Sequence, residues 1–214
     1  MIDSADLAMQ GTFGPRNKLG ITDPSALATA TADFTAFRLA ELQTSPVRGG
    51  FDSSHLREIH HHLFQDLYDW AGELRGIDAA DVPASRLEKS LDNLFDRLAR
   101  ENHLKGYSPD EWARSASAYV YDLGTLQPFL AGNEIALREF AAELARKNDL
   151  ALHWDAAADI GKAMIQFRQS EQAGNLRRII MLALDTSPGP QLPSRGNAVE
   201  RGIERLLSLG NSHL

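Results

Sequence analysis

Gly132-Asn133 opens what the residue pattern marks as a helix, and the unpaired N–H groups and positive dipole end of such a start favour an anion. Asn133 has a plainer reading as the cap of that helix. Glu134, in the first turn, can place its carboxylate over the same N–H groups as a built-in anion, or act as ordinary first-turn chemistry worth roughly a few tenths of a kcal/mol. Gln127, in the loop before it, can orient a hydroxyl or a water through its amide but has no useful basicity. Its plainer role is to satisfy backbone groups of the loop. His60-His61-His62 invites a metal reading, yet consecutive helical residues point about 100° apart and cannot converge on one ion. His60 lies beside an apolar stripe and is expected to be a satisfied core histidine, with His61 and His62 solvated. His55 and His62 lack HExxH spacing, and no nucleophile elbow, P-loop or dinucleotide fingerprint is present, so no metal site is expected.

The elements that must position these groups are nearly all helical. Thr22-Asp23-Pro24 places a cap before a first-turn proline, followed by Leu27, Ala30, Phe34 and Phe37 at helical spacing. A long helix begins near Asp52 and carries Leu56, Ile59, Leu63, Leu67 and Trp70 on one stripe, with Gly72 just beyond it. From Arg75 to Pro83 the periodicity fails, which reads as an exposed connection or short hairpin. A further helix is striped by Leu87, Leu91, Leu94 and Leu98. Ser108-Pro109-Asp110-Glu111 is a capping box opening a helix through about Leu123, with Trp112, Ala116, Tyr119 and Leu123 on one face. Residues 124–131 then form a loop, and a helix runs on through about Lys147. Ile160, Met164 and Phe167, then Leu176, Ile179, Ile180 and Leu184, mark two more amphipathic segments. A proline-rich linker over 186–197 precedes a short terminal helix bearing Val199, Ile203, Leu206 and Leu207.

With 214 residues and 43% hydrophobic content, the chain suits one all-α domain with appendages. Its net charge of −7, with signs interspersed, argues against a nucleic-acid partner, because phosphate contact wants a basic face. No apolar run is long enough to cross a bilayer, so no membrane partner is expected, and the absence of cysteine fits a reducing compartment such as the cytoplasm. Arg177-Arg178 reads as a solvated pair on an amphipathic helix.

Residues 127–140, Gln-Pro-Phe-Leu-Ala-Gly-Asn followed by Glu-Ile-Ala-Leu-Arg-Glu-Phe, resemble the signature of Fic proteins, transferases that usually move AMP onto a target hydroxyl. That signature runs His-Pro-Phe, two variable residues, Gly-Asn-Gly-Arg, then a second arginine. Pro128, Phe129, Gly132, Asn133 and Arg138 fit it; Gln127 replaces the histidine, Glu134 the second glycine and Ile135 the first arginine. Asn17-Lys18-Leu19-Gly20-Ile21, the segment 59–64 and the segment 68–75 add to the resemblance, which covers roughly residues 17–185. It implies a Fic-like helical bundle over 17–185, after an arm over 1–16 and before a linker over 186–197 and a helix and tail over 198–214. A flap including Gly76, Ile77 and Asp78 would lie over the active site and hold a target peptide.

The resemblance makes Gly132-Asn133 a phosphate cradle, with Pro128, Phe129, Asn133 and Arg138 as ligand-binding positions. The family's histidine is the general base, and its loss typically costs about 10²–10⁴-fold in rate. Glu73, Asp78, Asp81 and Glu88 near the flap are the carboxylates available as substitutes. Relative to the family, Glu134 and Ile135 lower the local charge by about two units, so ATP with magnesium is disfavoured as a cofactor. The resulting expectation is a divergent Fic-like protein that has lost or altered AMP transfer, keeping a pocket for a protein target, a regulatory partner or a less anionic substrate. Residual adenylyl transfer is the remaining alternative for activity, and secretion as an effector, known in the family, is the alternative to a cytoplasmic location that the resemblance implies.

Overall fold

The computed structural model describes residues 16–76, 84–154, 180–181 and 183–185. Residues 1–15 of the arm, the linker, the terminal helix, the 160–167 stripe, Arg177-Arg178 and the flap residues Ile77, Asp78 and Asp81 lie outside the described residues, whereas Gly76 lies within them.

Helix α1 spans Pro24–Thr44, with Pro24 in its first turn and the Asp23 carboxylate accepting the Ala26 N–H. Its expected stripe does not form the buried face. Leu27, Ala30, Phe34 and Phe37 are only half-buried, and Thr35 and Leu42 are the buried residues. Alternating Ala and Thr along this helix leave it without a distinct apolar side, so distant packing chooses the face.

Helix α2, Ser53–Phe64, starts at the expected cap, Asp52, which accepts the His55 N–H at 2.8 Å. It ends before Trp70. The Leu67 carbonyl accepts the Lys18 N–H at 2.7 Å, and the Gln65 carbonyl accepts the Lys18 ammonium at 2.8 Å. Those carbonyls serve an N-terminal strap rather than a continuing helix, while Leu67 and Trp70 stay buried from the turns. Gly72, at φ 83°, closes this connection where a Cβ would stand 2.9 Å from the His61 Cβ.

Helix α3, Ala84–Arg100, buries Leu87, Leu91, Leu94 and Leu98 as the spacing requires. A short 3-10 turn over Asn102–Leu104 then leads to α4, Pro109–Leu126, where the Ser108–Glu111 capping box forms and Trp112, Ala116, Tyr119 and Leu123 are buried. This helix runs to Leu126, so Gly124 is helical and the signature loop begins at Gln127. Helix α5, Asn133–Lys147, packs against α2 and α4 through Ala136, Leu137, Phe140, Ala141 and Leu144. After it, Ala151–Leu152 (β1) pairs antiparallel with Leu184–Asp185 (β2), so Leu184 is a strand residue rather than part of the expected last stripe. Apart from this two-residue pair the described fold is helical, as the all-α expectation had it.

At the C-terminal end of α5, Asp149 holds φ 57° while the Leu150 N–H reaches back to the Ala145 carbonyl at 3.0 Å. This left-handed closing position favours glycine, and an acid there also faces the negative end of the helix. Asp149→Gly is expected to raise stability by about 1 kcal/mol, read as a higher urea midpoint at unchanged slope; a lower midpoint would contradict this account.

Candidate active site

The signature loop is held almost entirely through its own backbone. Gln127, the C-cap of α4, takes a left-handed conformation, φ 44° and ψ 62°. Its amide nitrogen donates to the Gly124 carbonyl at 2.6 Å. Arg75, buried between the end of α2 and the loop, donates from Nε to the Gln127 carbonyl at 2.6 Å and from Nη2 to the Leu126 carbonyl at 3.2 Å. The Arg75 backbone N–H adds a bond to the Pro128 carbonyl at 2.9 Å. One guanidinium therefore satisfies carbonyls at the negative end of α4 and sets where Gln127 sits.

Phe129 and Asn133 close the next turn on each other. The Phe129 N–H donates to Asn133 Oδ1 at 2.9 Å, and Asn133 Nδ2 donates to the Phe129 carbonyl at 2.7 Å, all buried. Asn133 is thus the first helical residue and not the cap. Gly132 occupies the cap position at φ 74°, with no side-chain hydrogen bond to the helix. A Cβ on Gly132 would lie 2.3 Å from Phe64 Cζ, so α2 itself demands glycine here.

His60 supports the loop from below. The Gly72 N–H donates to its Nδ1 at 2.9 Å, which leaves the proton on Nε2 to donate to the Ala131 carbonyl at 3.0 Å. Its ring stacks on Phe129, centroids 3.8 Å apart. Burial pushes the imidazole down to about 4, the Ala131 bond opposing and neighbouring His61 assisting. This is the satisfied core histidine expected. His61 is exposed with Nδ1 on the Ala71 carbonyl, whereas His62 is half-buried 3.3 Å from Glu41, less solvated than the pattern suggested.

At the start of α5, the Glu134 carboxylate stands 3.9 Å from the Arg138 guanidinium. Ile135 packs against the core. Trp154, which the sequence reading passed over, lies beneath Arg138, its ring centroid 5.5 Å from the guanidinium carbon. Of the substitute carboxylates, Glu73 lines a surface cleft of about 260 Å³ with Ser54, Arg57, Glu58 and His61, a lining that includes no signature residue, and Glu88 is exposed on α3. Among the described residues, no three His, Asp or Glu side chains are placed to hold a metal ion. No helix among them is long and apolar enough to cross a membrane.

Residues 50–145 match the sequence profile of the Fic/DOC family. A probable protein adenylyltransferase Fic of Salmonella typhimurium is 32% identical over 74% of this chain and 78% of its own length. The chain belongs to the Fic/DOC family. Protein adenylyltransferase VbhT of Bartonella schoenbuchensis is 35% identical over 65% of this chain, which spans only 30% of that relative. Among solved structures, the Bartonella tribocorum effector BepC with bound AMPPNP superposes at a TM-score of 0.74 with 23% identity, covering 84% of this chain and 96% of that one. An N-terminal Fic domain from Bartonella quintana with bound ADP gives 0.74 and 24% identity over 85% and 95%. These likenesses show the Fic fold, and the sequence relatives show kinship with protein adenylyltransferases.

The Fic signature alone would have led to Gln127, Asn133 and Arg138. Arg75 carried no sequence signal of its own beyond sitting in the 68–75 segment that resembles the family, and nothing marked Trp154.

Proposed function

We propose that this Fic-family protein has lost ordinary AMP transfer from ATP and keeps its signature loop as a preformed recess for a protein partner or a less anionic ligand. The observation that carries this reading is the Glu134–Arg138 contact: the retained signature arginine faces a carboxylate one turn earlier on the same helix. An incoming triphosphate meets that carboxylate, and Ile135 offers it no charge. These residues do not fit ATP with magnesium, so no catalytic step is assigned through it. At the base position, the Gln127 amide is already bonded to Gly124 and cannot accept a proton from a hydroxyl.

The preserved loop argues for retained recognition. The Asn133–Phe129 pair, the Arg75 clamp and the His60 bond all hold main chain, and none depends on the replaced side chains. The same order supports a second reading, an enzyme of changed chemistry in which Gln127 orients a neutral substrate.

The test is calorimetric titration with ATP and magnesium of the wild type and of Gln127→His/Glu134→Gly/Ile135→Arg. Binding by the triple variant alone, together with AMP transfer only by that variant, is the expected result. Comparable binding by both, or transfer by the wild type, would overturn the reading. A defined product made by the wild type but not by Asn133→Ala, with its fold checked, would select the second reading.

A further inference from the structure

Arg138 is held by a residue that lies beyond the segment matching the family profile. Trp154 donates its Nε1–H to the Arg138 carbonyl at 3.0 Å, while its ring contacts the guanidinium of the same residue. The indole plane is therefore tied to the backbone of the side chain it touches. Trp154 is itself anchored by the strand pair: Ala151 and Leu152 align with Asp185 and Leu184, and the His153 N–H donates to the Ala183 carbonyl at 2.7 Å. With the Trp154 ring centroid 5.5 Å from its guanidinium carbon and the Glu134 carboxylate at 3.9 Å, the Arg138 side chain is 28% exposed.

We propose that Trp154 is a positioning residue that, together with Glu134, holds Arg138 in a parked arrangement, so that an anion reaches the guanidinium only by displacing both ring and carboxylate. This deepens the proposed function and rests on it, because it names what withholds the remaining signature cation. A guanidinium over an aromatic face at a partly exposed site is attracted strongly enough to alter an equilibrium roughly two- to fivefold. The Glu134 carboxylate adds a screened attraction of its own.

The experiment is calorimetric titration of the full chain with inorganic pyrophosphate, comparing wild type, Glu134→Gln, Glu134→Gln/Trp154→Leu and Glu134→Gln/Trp154→Phe, each checked by thermal melting. Phenylalanine keeps a ring face; leucine does not. Affinity is expected to rise on removing the carboxylate and to rise roughly two- to fivefold further with leucine, while phenylalanine, which keeps a ring face but not the Nε1–H bond to the Arg138 carbonyl, falls between the Glu134→Gln and leucine values. If the leucine variant does not fold, Trp154→Met replaces it. Equal affinities for the leucine and phenylalanine variants overturn the proposal, as does the absence of binding in every variant. Wild-type ATP binding equal to that of the reverted triple variant overturns the proposed function instead, and the leucine–phenylalanine comparison still decides the role of Trp154.

Discussion

Replacing Asn133 by alanine is expected to cost about 2–5 kcal/mol of folding stability, although the position is helical and alanine is the better helix former. The Asn133 amide answers both polar groups of a neighbour that is 1% exposed, taking the Phe129 N–H at 2.9 Å and giving to the Phe129 carbonyl at 2.7 Å. Alanine leaves a buried donor and a buried acceptor without partners, at about 1–3 kcal/mol each. Its gain in helix propensity is well under 1 kcal/mol and cannot offset this. Water cannot replace the lost partners at low cost, because both hydrogen bonds are buried. Asn133→Asp separates the two bonds: it keeps the acceptor for the Phe129 N–H but turns an acceptor-only carboxylate oxygen towards the Phe129 carbonyl, so it should not restore the wild-type midpoint. Urea denaturation of the three proteins reads this directly, and a loss below about 1 kcal/mol for alanine would mean that the loop relaxes to satisfy itself.

The difference between what local pattern encodes and what tertiary contact decides follows the chain closely. Where apolar residues recur at helical spacing with strong side-to-side contrast, as at Leu87, Leu91, Leu94 and Leu98 or at Trp112, Ala116, Tyr119 and Leu123, burial follows. Capping chemistry at Asp23, Asp52 and Ser108 located three helix starts, since each cap is a bond made within a few residues. The end of α2 was not readable, because it depends on Lys18 taking the Gln65 and Leu67 carbonyls from far away in sequence. A two-residue strand pair lies below any periodic signal, so Leu184 looked helical.

The site divides in the same way. Gly132 was recognisable from its type, but the reason for it is the Phe64 ring of another helix. Asn133 looked like a cap because asparagine often is one, yet its amide turns back to Phe129. Arg75 and Trp154 act on carbonyls and on a guanidinium that the fold brings to them, and no spacing rule connects Arg75 with Gln127 or Trp154 with Arg138. The signature therefore told which residues differ, while the supports that keep the loop in place came only with the tertiary contacts.

Those supports carry a pH dependence that can be isolated at His60. Its folded-state value of about 4 lies below the ordinary 6.5, chiefly because the ring is buried. A base with a lowered folded value contributes stability that is complete above the unfolded value, is lost as pH falls from about 6.5 towards 4, and then levels off. The size of the loss is about 3 kcal/mol. Structure gives the reason for the sign: a second proton must enter at Nδ1, where the Gly72 N–H already points, so protonation sets two donors against each other. Acid therefore loosens the bond to Gly72 first and, through the tilt of the ring, the support of Ala131 and the Phe129 stack. Glu139, raised by its burial, acts with the opposite sign. The informative quantity is consequently the difference between wild type and His60→Gln, in which the amide can keep a donor for Ala131 and an acceptor for Gly72 without titrating. Urea midpoints from pH 7 to 4.5 should show the wild-type advantage shrinking by most of about 3 kcal/mol. Parallel stability curves for the two proteins would place the acid sensitivity elsewhere and remove His60 from the account of how the loop is held.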